Sequence, residues 1–188
     1  MSSSLNTLSI AHRFIREHVK PGAFCIDATA GRGNDTALLC SLVGEQGMVI
    51  AFDIQQEAVK STNELLQRLG YQAQVLLESH TEMDRYAQEG TVDCITFNFG
   101  WLPGGDHSIH TQTETSLRDI EKGLKLLRVG GIMSLCIYYG RDTGFAEKDA
   151  ILEYLQQVDS KKYTVIVSAF HNRPNCPPIP VCIIRDEI

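Results

Sequence analysis

The stretch "AFCIDATAGRGNDT", Ala23 to Thr36, decides the architecture of this chain. Ala23 to Ala28 is an apolar run broken only by Asp27, the pattern of a strand buried on both faces. Gly31 and Gly33 follow, and they let the backbone turn tightly and pass close to a ligand before the next helix begins. A buried strand, a glycine turn and a helix make the first unit of a sheet whose strands run parallel, with helices returning between them.

Upstream of this unit, Leu5, Leu8, Ala11, Ile15 and Val19 keep helical spacing until Lys20-Pro21-Gly22 ends it. Residues 1–20 therefore read as a leading helix that packs on the sheet. Downstream, strands are expected at Gly47–Asp53, Ala73–Ser79, Val92–Asn98 and Gly131–Tyr139, with helical stretches between them and a further helix over about Glu147–Val158. The runs "KYTVIVSAF" and "IPVCIIRD" are joined only by "HNRPNCPP", too short for a helical crossover, which predicts an antiparallel pair at one edge. The expectation is one α/β domain over residues 1–188: a mostly parallel seven-stranded sheet with an antiparallel last strand and helices on both faces.

The composition suits a normal hydrophobic core, with 43% hydrophobic and 21% charged residues in 188. The first residues lack a basic and then apolar leader, and no apolar run approaches the ~20 residues of a membrane span. A cytoplasmic chain with no membrane contact is the expectation. The six cysteines are scattered without a C-x-x-C pair, and four lie inside strand-like runs, so neither a disulfide nor a metal site is expected. A net charge of −6 argues against broad, non-specific binding of nucleic acid but leaves a local basic patch open.

In a sheet of this kind ligands sit at the carboxyl ends of the strands, near the switch in strand order. Strand one ends in the glycine turn, and strand two ends in Asp53, about twenty residues on, where an acid can accept hydrogen bonds from ribose hydroxyls. A dinucleotide fingerprint would need a third glycine where Thr36 stands, and the phosphate-cradling P-loop pattern is absent. Strand four ends in "FNFGWLPGGDHS", Phe97 to Ser108, with an amide at Asn98, a tryptophan at Trp101 and an acid at Asp106. An amide can orient an amine through its N–H groups, and an aromatic face can support a flat base. Trp101 could equally fill the core, and Asp106 could equally stabilise the turn after Gly104-Gly105.

The D-x-x-x-G-x-G of strand one resembles motif I of the class I S-adenosylmethionine-dependent methyltransferases, which have a Rossmann-like fold. The resemblance implies S-adenosylmethionine as cofactor. It assigns Asp27, Thr29, Gly31, Gly33, Asn34 and Asp35 to the loop beneath the methionine part, Asp53 with Ile54 and Gln55 to the ribose, and Glu78, Ser79 and His80 to the adenine, with Asn98 also counted among the cofactor-binding residues. Amine methyltransferases of this fold carry an (Asn/Asp)-Pro-Pro-aromatic motif after strand four, of which "NFGW" keeps Asn98 and Trp101 and loses both prolines.

Together "DATAGRGNDT", "FDIQ", "FNFGWLPGGDHSIHTQTET", "YYGRDTGFAEKDA" and "NRPNCPPIPVCIIRD" resemble one bacterial family, the MnmM-type methyltransferases. The family methylates the side-chain amine of 5-aminomethyl-(2-thio)uridine at the tRNA wobble position, giving the 5-methylaminomethyl product. One departure is His107, where many members carry lysine. Asn98, Asp106, His107 and Tyr138 are the candidate catalytic set: a protonated alkylamine must shed a proton before attack, Asp106 is the first candidate to take it and His107 or Tyr138 the second, and desolvation in the pocket could equally lower the amine pKa without a dedicated base. Trp101, Gly105, Tyr139, Arg141 and Arg173 would meet the substrate, with His110 on the same rim, and the partner would be a tRNA anticodon stem-loop. Lys122, Lys125 and Arg128 could be no more than the solvated face of a helix. Homodimerisation stays open, as do a methyltransferase of rRNA or of a small molecule and a non-catalytic nucleotide-binding module.

Overall fold

The computed structural model describes residues 5–99, 113–139 and 141–186, with the backbone alone at 113–114 and 141–143. Helix α1 (Thr7–His18) opens with a reciprocal cap in which Asn6 accepts from the Ser9 N–H and Ser9 Oγ accepts from the Asn6 N–H, both at 2.8 Å. There follow β1 (Phe24–Asp27), α2 (Asn34–Val43), β2 (Met48–Asp53), α3 (Gln56–Leu69) and β3 (Gln74–Leu77). A 3-10 helix (His80–Arg85) leads to β4 (Val92–Phe99), α4 (Thr113–Leu126), β5 (Leu127–Ile137), α5 (Arg141–Gln157), β6 (Tyr163–Val167) and β7 (Ile179–Arg185).

The seven strands form one sheet in the order β3-β2-β1-β4-β5-β7-β6. All pair parallel except β7, which lies antiparallel between β5 and β6, so the expected edge pair is present with β6 outermost. Side chains on a strand alternate between faces, and this divides the core in two. Cys25, Val49, Cys94 and Ile132 meet Ile15, Leu39, Val43 and Leu66 of α1, α2 and α3. Ile26, Phe52, Ile95, Phe97 and Phe99 meet Met83, Ile120, Leu124 and Ile151 on the opposite side. Each large side chain buried in this way stabilises the fold by about 1.5–3 kcal/mol.

Several element limits differ from expectation: α1 begins at Thr7, so Leu5 lies outside it and is exposed, and β3 and β6 are shorter than their apolar runs. Strand β5 begins at Leu127 rather than Gly131, because the pairing with β4 shifts register between Val92 and Cys94 and the chain passes through the irregularity. A Cβ at Gly131 would lie 2.8 Å from the Arg128 carbonyl and 2.9 Å from that of Val92, so this glycine permits the close approach instead of ending the strand. Helix α5 starts at Arg141, not near Glu147, and the 3-10 helix after β3 had no separate sequence signal. The cysteines at 25, 40, 94, 136 and 182 are buried, and Cys176 is exposed.

Candidate active site

The strand order reverses between β1 and β4, and the turn after β1 lies there. Its backbone is tied to both neighbours: the Ala28 N–H donates to the Thr96 carbonyl and the Ala30 N–H to the Phe52 carbonyl, each at 2.9 Å. The Gly31 N–H donates to Asp53 Oδ2 at 2.9 Å, while the Gln55 N–H donates to Asp53 Oδ1 at 2.9 Å. Asp53 thus clasps the glycine turn to the end of β2.

Gly33 is the N-cap of α2, in the left-handed region at φ 81° and without a side-chain cap. A glycine here is expected to let the backbone approach a ligand closely. The structure adds a packing reason, since a Cβ here would lie 2.9 Å from the Thr62 Cα of α3. Gly33 lets α2 and α3 pack, and Thr62 Oγ1 also donates to the Gly31 carbonyl at 3.3 Å.

Asp27 is fully buried. Its carboxyl accepts from Thr36 Oγ1 at 2.6 Å, from the Thr29 N–H at 3.2 Å and from Thr96 Oγ1 at 3.3 Å. Thr36, in place of a third glycine, is therefore a partner of this acid. Burial, and then the charge of Asp35, pushes Asp27 up to about 7 against the lowering effect of these donors. Asp27 acts on the site through the turn that it braces rather than through a carboxylate offered to a ligand.

Thr96 and Asn98 point to the α1–α3 side of β4, opposite Ile95, Phe97 and Phe99. Asn98 there donates from Nδ2 to Asp35 Oδ2 at 2.8 Å, and its backbone N–H donates to Thr29 Oγ1 at 2.8 Å. Asp35 Oδ1 is 2.6 Å from His12 Nε2 of α1. Sequence reading found Asn98, Thr29 and Asp35 but missed His12, which lies 23 positions before its partner and belongs to no motif.

Four further assignments are refined. Ser79 spends its hydroxyl on capping the 3-10 helix, accepting from the Thr81 N–H at 3.2 Å. His80 turns toward α4, where Nε2 is 2.9 Å from the buried Asp119 Oδ2, an ion-pair distance without hydrogen-bond alignment. Tyr138 is pushed up to about 12 by burial and then by Cys136 and Asp35, so its phenol stays protonated at neutral pH and is unsuited to accept a proton. Ile54 is 58% exposed beside Asp53, an apolar face at a polar strand tip.

Around the β6–β7 loop, a cavity of about 320 Å³ is lined by Tyr139, Phe170, Arg173, Cys176, Pro177 and Ile179. The Arg173 guanidinium stacks 4.0 Å from the centre of the Phe170 ring, and Tyr139 packs edge-on to Phe145. Lys122 and Lys125 are engaged with Asp84 and Glu121, and Arg128, which lies on β5 rather than on the helix, pairs with Asp93. Gly105, Trp101, Asp106, His107 and His110 lie outside the described residues, as does the side chain of Arg141.

These residues fit S-adenosylmethionine. The first turn of α2 has no side-chain cap and can offer backbone N–H groups to a carboxylate. Each Asp53 oxygen retains a lone pair for a ribose hydroxyl, and Ile54 offers a flat apolar contact for a base. Among the described residues no cluster of His, Cys, Asp or Glu could hold a metal ion, and no helix is long and apolar enough to cross a membrane.

Comparison with known proteins agrees with this reading. A Clostridium thermocellum crystal structure, described as a "putative rRNA-methylase", superposes with a TM-score of 0.93 at 45% identity, covering 97% of this chain and 99% of that one. A Streptococcus mutans protein solved in complex with SAH gives a TM-score of 0.87 at 34% identity, covering 97% and 99%. The chloroplastic tRNA (mnm(5)s(2)U34)-methyltransferase of Arabidopsis thaliana is 31% identical over 95% of this chain and 69% of its own length. The glycine turn falls before the family-model match, but these full-length relatives span it. The chain is an S-adenosylmethionine-dependent methyltransferase, and it belongs to the family described as "Putative rRNA methylase", whose model matches residues 49–184.

Proposed function

We propose that this protein methylates the side-chain amine of 5-aminomethyl-(2-thio)uridine at the wobble position of tRNA, giving the 5-methylaminomethyl nucleoside. The observation that carries the reading is Asn98, whose amide is oriented at the tip of β4 by Asp35. A carboxylate only accepts hydrogen bonds, so Asn98 must turn Nδ2 toward Asp35 and its carbonyl oxygen the other way. That oxygen is suited to accept an N–H from an amine and so to fix the direction of the nitrogen lone pair. The similarity to the Arabidopsis enzyme supports the choice of acceptor.

When bound, the cofactor supplies a methyl group on a positively charged sulfur. The protein's own task is to align the amine and to exclude water, and orientation of this kind can supply about 7–11 kcal/mol of the barrier. An alkylamine with a pKa of ~10 arrives protonated and must lose a proton before attack. We assign that proton to Asp106, with His107 as the alternative, and we assign Trp101 and Gly105 to the base. The cavity beside Tyr139 and the Phe170–Arg173 pair suit a splayed anticodon-loop base and a phosphate. Arg141 belongs to the same rim. The anticodon stem-loop is thus the proposed partner and the cytoplasm the proposed compartment.

The test is to incubate purified protein with S-adenosylmethionine and tRNA carrying the aminomethyl nucleoside, then to digest the RNA and identify its nucleosides by mass spectrometry. Conversion to the methylaminomethyl form is expected. Methylation of rRNA with none in this tRNA would refute the reading.

A further inference from the structure

We infer that His12, on the leading helix α1, is a positioning residue of the active site: through Asp35 it fixes the amide of Asn98 in the orientation that receives the acceptor amine. The inference rests on the acceptor chemistry proposed above and extends the site to an element that no motif touches.

The geometry is continuous. His12 Nε2 lies 2.6 Å from Asp35 Oδ1, and Asp35 Oδ2 lies 2.8 Å from Asn98 Nδ2. Because the carboxylate can only accept, the His12 proton on this side must sit on Nε2. Both Asp35 oxygens are then engaged, one by each partner, and the carboxyl plane cannot turn without breaking one contact. The side chains are 28% and 12% exposed, so water competes weakly for these bonds. A second hold on Asn98 comes from Thr29 Oγ1, which accepts its backbone N–H at 2.8 Å and lies at 3.5 Å from Nδ2, a longer contact to a hydroxyl that can face either end of an amide. Asp35, which is closer at 2.8 Å and can only accept, is the contact that selects the NH₂ end of that amide.

Helix α1 is itself held in place. Ala11 and Ile15 are buried, and Thr7 Oγ1 donates to the Pro178 carbonyl at 2.6 Å, tying the helix to the β6–β7 loop. His12 thus approaches Asp35 from a body anchored independently of the glycine turn. Without its imidazole, one carboxylate oxygen would lose its partner, and Asp35 could rotate or recruit water. The Asn98 carbonyl would then be presented in more than one orientation.

The experiment compares His12→Ala, Asn98→Ala and the double variant in single-turnover methylation of aminomethyl-uridine tRNA, with cofactor affinity measured by calorimetry. His12→Ala should lower the rate on the order of 10- to 100-fold, the scale of a small misplacement of reacting groups. The dissociation constant for S-adenosylmethionine should stay within a few-fold. In the Asn98→Ala background the same change should have almost no effect, since the group that it positions is gone. His12→Gln, which restores an N–H at similar reach, should hold most of the rate and serves in the same comparison if the alanine variant does not fold. In cofactor-free protein the side-chain amide NMR signal of Asn98 should shift in His12→Ala. Equal losses in both backgrounds, loss of cofactor affinity in step with rate, or an unmoved Asn98 signal would each overturn the inference. Wild-type protein that leaves this tRNA unmethylated defeats the functional proposal alone, because the Asn98 signal still decides this one.

Discussion

We assign Asp53 two duties, clasping the glycine turn and accepting from the cofactor's ribose, and its replacement should separate them. In the structure its carboxylate accepts the N–H groups of Gly31 and Gln55, both at 2.9 Å. A hydrogen bond to a charged group is worth about 1.5–3 kcal/mol, and the half-buried setting argues for the lower end, so Asp53→Ala should cost about 3 kcal/mol of stability. For a chain of this length that lowers Tm by roughly 6–12 °C. Loss of the ribose acceptor should further weaken S-adenosylmethionine binding about 10- to 150-fold, the same bond energy read as affinity. Asp53→Asn is the sharper probe. Its single carbonyl oxygen can serve only one of the two backbone donors, and its NH₂ must then face the other N–H. It should therefore be destabilised despite its matching shape. Calorimetry for affinity and thermal unfolding without cofactor measure the two effects separately. Unchanged melting in both variants would show that Asp53 does not clasp the glycine turn, and unchanged affinity in a folded variant would remove it from the cofactor site.

Other consequences can be measured directly. Gly33→Ala should destabilise the protein by about 2–4 kcal/mol, from a strained left-handed residue and a 2.9 Å approach to the Thr62 Cα; denaturant unfolding checks this, and a neutral result would mean that α2 and α3 yield more readily than packed helices do. The folded-state pKa of Asp27 is raised to about 7, so the native protein keeps a proton that the unfolded chain has lost, and this acid's contribution to stability falls as pH rises from about 4 to about 7. Asp27→Asn is isosteric, Thr36 Oγ1 can rotate to accept from it, and the variant's stability relative to wild type should grow across that window; parallel pH profiles would contradict the burial argument. Asp106→Asn should leave stability and cofactor affinity near wild type while slowing single-turnover methylation, and its rate should recover as pH climbs toward the amine pKa of ~10, when solvent can take the proton. Full activity at neutral pH would remove Asp106 from the chemistry.

Most of the fold was legible because its strands are local apolar runs, and a buried parallel strand needs little more than that. Its limits were less so. Gly131 reads as the start of β5, yet the strand passes through it, because the sharp approach of the Arg128 and Val92 carbonyls is a property of the paired strand rather than of either segment. The start of α5 at Arg141 was hidden for a related reason, since "RDTGF" has weak helical periodicity and a glycine within it.

The site divides in the same way, between what one segment encodes and what two segments encode when they meet. The glycine turn and Asp53 were visible because their spacing along the chain reflects a single βαβ unit. The purpose of Gly33, the turning of His80 toward Asp119 and the His12–Asp35 contact all depend on how helices pack, which no local pattern states. Strand parity nevertheless links the two classes. Asp27 shares the face of Cys25, and Thr96 and Asn98 share the face of Cys94, so all three polar groups point to the side covered by α1, α2 and α3. Polar side chains on a face otherwise filled by Ile15, Leu39 and Val43 must find partners there or pay for desolvation. Asp27 finds Thr36 at the start of α2, and Asn98 finds Asp35 one residue earlier on the same helix. Two adjacent positions of one helix therefore serve opposite ends of the site: Thr36 braces the turn through a buried acid, while Asp35, steadied by His12, aims the amide at the acceptor.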